Sequence, residues 1–357
     1  WNTPLAIGQK NAKNLYMGAQ YLCKSTDQGR NWTRISADLT TNDKKKQEQE
    51  NSGGLSADNT SAENHCTIFT ITESPLDENL VWAGTDDGNL QYTADGGKTW
   101  TNVAANYKAA GIPAQTWVSS IEPGRYDKNT VYATFDNHMF GDHKTYLGKS
   151  TDMGKTWKEV SPDLTRNEKE KQGKGGGPYT NEAVGAENYG TLSYVIESPH
   201  EKGVIYTGSD DGFVHVTKDG GAHWENITPK GLAECLINAI EVSPHDKATA
   251  YIATTRYKFN NHTPAIYKTT DYGKTWTSIN SGIPQGAFTR VVREDAVRKD
   301  LLFAGTETGV YVSWNGGKDW QPFQLNLPLT PITDLKIHQD NLIAATSGRS
   351  FWILDDI

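Results

Sequence analysis

One phrase recurs six times along the chain: Ser or Thr, then Asp two residues on, Gly two further, and Trp three after that. The copies run Ser25, Asp27, Gly29, Trp32; Thr93, Asp95, Gly97, Trp100; and Ser150, Asp152, Gly154, Trp157. Three more follow at Thr217, Asp219, Gly221, Trp224, at Thr269, Asp271, Gly273, Trp276, and at Ser313, Asn315, Gly317, Trp320. The chemistry is that of a tight turn between two strands: Asp accepts hydrogen bonds from its own loop, Gly supplies a left-handed backbone, and Trp anchors the next strand. A catalytic or metal-binding role for Asp27, Asp95, Asp152, Asp219, Asp271 and Asn315 has to explain why every repeat carries one. Stapling a hairpin explains it directly.

Around each staple four short strands with alternating or fully apolar patterning can be traced. In the second repeat they are Thr67 to Thr72, Leu80 to Gly84, Asn89 to Tyr92 and Trp100 to Val103; in the fourth, Thr191 to Ile196, Val204 to Gly208, Phe213 to Val216 and Trp224 to Ile227. A seventh set, Ile332 to Ile337, Asn341 to Ala345 and Ser350 to Leu354, has three strands and no staple. Repeats of this size and strand content build propellers. The reading is an all-β, seven-bladed β-propeller of four-stranded antiparallel blades joined by Asp hairpins. Residues 1–357 form this one domain, its blades starting near 4, 67, 118, 191, 237, 288 and 332, the last blade incomplete. The chain opens inside a strand-like phrase, Trp1 to Ile7, which together with the missing strand reads as a fragment of a longer multi-domain protein.

Composition agrees. With 34 Gly, 11 Trp and 36% hydrophobic residues in 357, the chain is rich in turns and buried rings rather than in long helices. A net charge of −8 with dispersed Lys and Arg argues against a nucleic-acid binder, and no apolar stretch approaches the roughly 20 residues that span a bilayer. Cys23, Cys66 and Cys235 are too scattered for a disulfide framework or a zinc site and read as core or strand residues. No cofactor is expected.

Spacing between the staple Trp residues is 68, 57, 67, 52 and 44, against about 40 to 50 for one propeller blade. The excess marks two matching insertions, Ile35 to Asn64 and Val160 to Asn188, so a two-blade unit is duplicated. Each has a charged stem, Asp43 to Glu50 and Glu168 to Lys174, read as a solvated segment or short helix. In a propeller these insertions and the turns between second and third strands open on one face. That face is expected to collect Asp86, Asp87, Trp117, Asp136, Tyr189, Asp210, Asp211, Arg256, Tyr257, Glu307 and Arg349. Each alone is ordinary turn or loop chemistry; together they form a concave polar and aromatic rim suited to a ligand. Asp136, His138, Asp142 and His143 fall within eight residues, a density that also fits a metal site or a plain surface loop.

The Ser/Thr-x-Asp-x-Gly-x-Thr-Trp phrase, with Glu73 to Pro75, Glu197 to His200 and Ser243 to His245 at strand ends, resembles the Asp-box, or bacterial neuraminidase repeat, propellers. The phrases Ser347 to Asp356 and Arg290 to Asp295 are similar to those of large secreted bacterial proteins called sortilin-like or glycosyl hydrolase. That resemblance implies an extracellular or cell-envelope location and an adjacent propeller or other domain in the full-length chain. Sialidases share the staple, but their Arg-Ile-Pro phrase is absent. Xyloglucan-cleaving enzymes of glycoside hydrolase family 74 share it too; they join two propellers with one catalytic Asp on each, which implies Asp86 or Asp210 as acid or base. The reading favoured by the residues is a propeller that binds a glycan, peptide or partner protein on its loop-bearing face, non-catalytic by itself. The alternative is a glycoside hydrolase or its inactive relative.

Overall fold

The computed structural model describes residues 4–45, 47, 66–114, 116–137, 142, 144, 146–171, 189–338 and 340–357. Its strands form seven separate antiparallel sheets, six of four strands and one of three, each with its strands hydrogen-bonded in chain order. This is a seven-bladed β-propeller with almost no helix. The chain divides into two compact units, Trp1–Leu192 and Ser193–Ile357.

The second strands, such as Val81–Thr85, Val131–Asp136, Ala250–Thr255 and Leu302–Thr306, are buried along their whole length, which is why they read as unbroken apolar runs rather than as alternation. Blade two is Ile68–Glu73, Val81–Thr85, Leu90–Thr93 and Thr101–Asn102. Blade four is Leu192–Glu197, Ile205–Ser209, Val214–Thr217 and Glu225–Asn226. Both agree with the sequence reading to within about one residue, except in the fourth strand. That strand is two residues long and begins after the staple Trp, so Trp100 and Trp224 stand outside the ladder expected to contain them. Blade seven has Ile332–His338, Asn341–Thr346 and Phe351–Leu354. One feature had no sequence signal, a short helix at Ala104–Ala109 after the fourth strand of blade two. Among the described residues no helix is long and apolar enough to cross a membrane.

The staple geometry is the same six times. The Gly amide donates to the Ser or Thr hydroxyl at 2.8 to 3.0 Å, as from Gly29 to Ser25 and from Gly221 to Thr217. Asp or Asn accepts the amide four residues on, as Asp27 does from Asn31 and Asn315 from Asp319. The turn then clasps its own blade: Gly96 donates to Asn79 O, Tyr272 to Ala248 O and Gly316 to Asp300 O, each in the link between first and second strands.

The Trp does not always enter the core. Trp320 is buried and donates its indole N–H to Ile279 O of the preceding blade at 2.6 Å, as Trp100 does to Ile35 O and Trp276 to Ile227 O. Trp32 and Trp157 instead bond back to Gly29 O and Gly154 O of their own hairpins; Trp157 is still buried in the core, whereas Trp32 is 37% exposed. What recurs between blades is the staple Gly: a Cβ on Gly97 lies 2.7 Å from Cβ of Ile35, on Gly273 2.7 Å from Cβ of Ile227, and on Gly317 3.0 Å from Cβ of Ile279.

Candidate functional site

In the first unit, Asp86 and Asp87 occupy the turn between the second and third strands of blade two, where open rim carboxylates were expected. Both are only 1% exposed. Asp86 accepts the amide of Thr67 at 2.8 Å and its hydroxyl at 2.7 Å. Asp87 accepts the amide of Thr41 at 2.6 Å, the Thr41 hydroxyl at 2.7 Å, and the Thr85 hydroxyl. Thr41 lies within the first insertion and Thr67 just beyond its far end, and the Thr41 hydroxyl lies 3.7 Å from Cys66 Sγ. Leu39 O receives further donors from Asn89 and Gln91. The acid pair therefore pins the root of the insertion against blade two, and Asp87 also helps push the neighbouring Cys66 thiol upward, after burial as the main cause.

Close by, Trp117 pairs across the ladder with Asp136, and both are buried. The Trp117 ring lies 5.5 Å from Phe69, two residues past Thr67. Asp86, Asp87, Trp117 and Asp136 are thus all buried in neighbouring sheets rather than standing on an open wall. Tyr189 stands apart, donating to Glu168 at 2.6 Å with Lys171 over its ring; the stem there forms a short turn of 3-10 helix at Lys169–Lys171. Of the other stem, Asp43 to Glu50, and of the rest of Glu168 to Lys174, part lies outside the described residues.

For the metal hypothesis, His138 and His143 lie outside the described residues. Asp142 is engaged: it accepts from Asn137, from Tyr146 OH and from the Lys144 amide. Burial opposes its ionisation, but these donors prevail and hold its carboxyl below the usual range. Among the described residues no group of three or more potential ligands is placed to hold a metal.

The second unit presents a more open cluster. Phe288 is its buried centre. The Tyr257 ring stacks on Phe288 at 5.6 Å and 24°, His262 lies 5.6 Å away, and the Arg290 guanidinium sits 5.1 Å from the same ring. Arg290 donates from Nε at 3.0 Å and Nη2 at 2.7 Å to one oxygen of Glu307, whose own amide donates to Phe288 O. Arg256 donates to Glu234 O at 2.9 Å and covers the Phe259 ring. Tyr257 is 42% exposed, an amphipathic ring held on a rigid base. Such a platform takes a flat apolar face of a ligand while Arg256 and the Arg290–Glu307 pair offer polar contacts.

Asp211 is buried and accepts from Ser209 at 2.5 Å; the half-buried Asp210 precedes it, and Gly212 packs against Cys235, next to Glu234. Arg349 is exposed in the turn before Phe351, its carbonyl accepting from Trp352. The structure thus brings Arg256, Tyr257 and Glu307 together and adds Phe288, His262 and Arg290, which the sequence reading does not assign to a site; Asp211 is instead buried against Ser209. In sequence Phe288 marks only the start of a blade. The aromatic at the start of a first strand, also present as Trp117, was the available signal.

No protein-family model matches the chain. A protein of Neosartorya fischeri named "Probable oligoxyloglucan-reducing end-specific xyloglucanase" is 25% identical over 320 residues, covering 80% of this chain and 37% of that protein. Among solved structures, an ancestral GH74 enzyme superposes with a TM-score of 0.68 at 14% identity, over 99% of this chain and 44% of the other. YCF48 from Cyanidioschyzon merolae superposes with a TM-score of 0.61 at 13% identity, over 98% of this chain and 93% of the other. These structures agree on the fold; the chain spans less than half the length of the xyloglucanase and of the GH74 enzyme.

Proposed function

We propose that this propeller is a binding module, non-catalytic by itself, that receives a glycan, peptide or partner protein at the sheet ends bearing its long loops. The observation that carries this reading is the state of the acids. Asp86 and Asp87 are buried and saturated by Thr67, Thr41 and Thr85, which leaves them structural, whereas general acid–base chemistry needs a carboxyl within reach of substrate. Ligand contacts are assigned to Tyr257, Arg256, Glu307 and Arg349, and in the first unit to Tyr189, whereas Asp87, Trp117, Asp136 and Asp211 are buried and support the rim from behind. The repeated Asp hairpin and the phrase Ser347 to Asp356 support an Asp-box propeller of the sortilin-like kind, and with it an extracellular or envelope location and a neighbouring propeller in the longer protein.

The second reading is glycoside hydrolysis shared with another propeller, Asp86 or Asp210 supplying acid or base. The 25% identity with the Neosartorya fischeri protein over 80% of this chain favours it. Incubation with xyloglucan oligosaccharides, with detection of new reducing ends, together with glycan- and peptide-array binding, separates the two. Binding without turnover supports the module; turnover lost in Asp210→Asn supports the hydrolase.

A further inference from the structure

Four exposed apolar side chains of the second unit stand on loops that hydrogen bonds and ring contacts tie to one another. Tyr257 and Phe259, 47% exposed, stand on the link between second and third strands of blade five. Phe288 joins this link to Glu307 through the Tyr257 stack and the Glu307 amide. Two residues past Glu307, the turn meets Gln324: the Val310 amide donates to Gln324 Oε1, and Gly309 leaves no room there for a side chain, since a Cβ would come within 1.9 Å of that oxygen. Gln324 also donates to Leu327 O and Pro328 O at 2.8 and 2.7 Å, so the loop it begins is fixed from within. That loop displays Leu325, 65% exposed and in the left-handed region at φ 44°, and Leu329, 81% exposed. Thr330 then bonds to Ser347 O, and the Ser347 amide to Pro331 O, which brings in the turn carrying exposed Arg349.

Scattered exposed apolar residues need no explanation, but a connected, internally braced set in a strained backbone does. Aromatic faces suit sugars and peptides alike. Isolated leucines at this exposure suit apolar amino-acid side chains, because a sugar gains little from an aliphatic contact that offers neither a flat face nor a hydrogen bond. Charge adds a second constraint. On a chain of net charge −8, this surface is edged by Arg256, Lys258 and Arg349, while Glu307 is matched by Arg290.

We infer that the surface running from Tyr257 and Phe259 to Leu325 and Leu329 binds an acidic polypeptide segment through apolar anchor residues. This rests on the binding-module reading and names the partner's chemistry. Apolar side chains seat against Tyr257 and the two leucines, and flanking carboxylates face Arg256, Lys258 and Arg349.

The test is selection of a phage-displayed random dodecapeptide library on the intact chain. Enriched peptides are synthesised and measured by fluorescence polarisation against the unaltered protein, Leu329→Asp, Tyr257→Ala and Arg349→Glu. All three positions are exposed or half-exposed, and circular dichroism checks each fold. The inference expects acidic peptides with two or more apolar anchors, an affinity loss of about tenfold or more in Leu329→Asp and Tyr257→Ala, and weakening by salt in the unaltered protein but less in Arg349→Glu. Failure to enrich, enrichment of basic peptides, or affinity unchanged in the variants overturns it. In a parallel titration, xyloglucan heptasaccharide bound intact and lost in Tyr257→Ala, with no peptide selected, overturns the peptide inference while the binding-module reading stands. Cleavage of the heptasaccharide overturns that broader reading.

Discussion

Thr41 gives both its amide and its hydroxyl to one oxygen of Asp87, at 2.6 and 2.7 Å, across 46 residues of sequence. Nineteen residues before Asp86, Thr67 likewise gives that acid its amide at one oxygen and its hydroxyl at the other. The two acids are thus spent on closing the first insertion at its root.

Removing Asp86 strands two part-buried donors, and removing Asp87 strands three. Asp87→Ala and Asp86→Ala are each expected to lower stability by about 2 to 3 kcal/mol, read from urea denaturation. A loss below about 0.5 kcal/mol shows that the carboxylates are free for other work.

The staple Gly residues carry a packing cost as well as a conformational one. Gly97 has φ 101° and a neighbour at 2.7 Å, whereas Gly111 has φ 94° and nothing within 4 Å. Gly111→Ala isolates the backbone strain, about 1 kcal/mol, and Gly97→Ala adds displacement of Ile35, for about 2 to 3 kcal/mol in all. Equal losses in the two variants contradict the inter-blade contact.

Two staple tryptophans separate a link between blades from a surface ring. Trp320→Phe keeps most of the ring but leaves buried Ile279 O without its donor, an expected loss of about 1 to 2 kcal/mol. Trp32→Phe breaks only a bond within its own hairpin at the surface and is expected to change stability by less than about 0.5 kcal/mol. Thermal melts of the two variants side by side measure the difference.

Acid tests the staples together. In Asp27 and Asp271, hydrogen bonds from Asn31 and Thr275 respectively hold the carboxyls down at about 2, and Asp95, Asp152 and Asp219 are also lowered by the bonds they accept. A carboxyl depressed on folding contributes stability above its unfolded value near 4 and loses it as pH falls through the folded value. Melting temperature is therefore expected to fall between about pH 4 and pH 2. Asp95→Asn, which copies the natural Asn315, is expected to flatten that dependence; a slope unchanged by the substitution removes the staples as its source.

The fold was legible because its signals are local: each staple lies within eight residues, and fully apolar second strands read directly as buried. The shifts of register in the first strands, as between Ile68 and Thr70 or Thr289 and Val291, have no sequence mark because they arise from pairing with the second strand. The site was legible in part. Arg256, Tyr257 and Glu307 were found as loop residues of one face, but Phe288, which unites them, looks in sequence like any strand residue. Asp86 and Asp87 read as open acids in sequence because the threonines that enclose them are 19 and 46 residues away.

Asp86 and Asp87 act as structural groups or as catalytic ones, and one measurement separates the two roles. Release of reducing ends from xyloglucan oligosaccharides by the intact chain and by Asp86→Asn, measured beside the melting temperature of each, decides it. The expected result is no release from either protein and a lower melting temperature for Asp86→Asn. Release by the unaltered chain that disappears in Asp86→Asn, with the melting temperature unchanged, contradicts it.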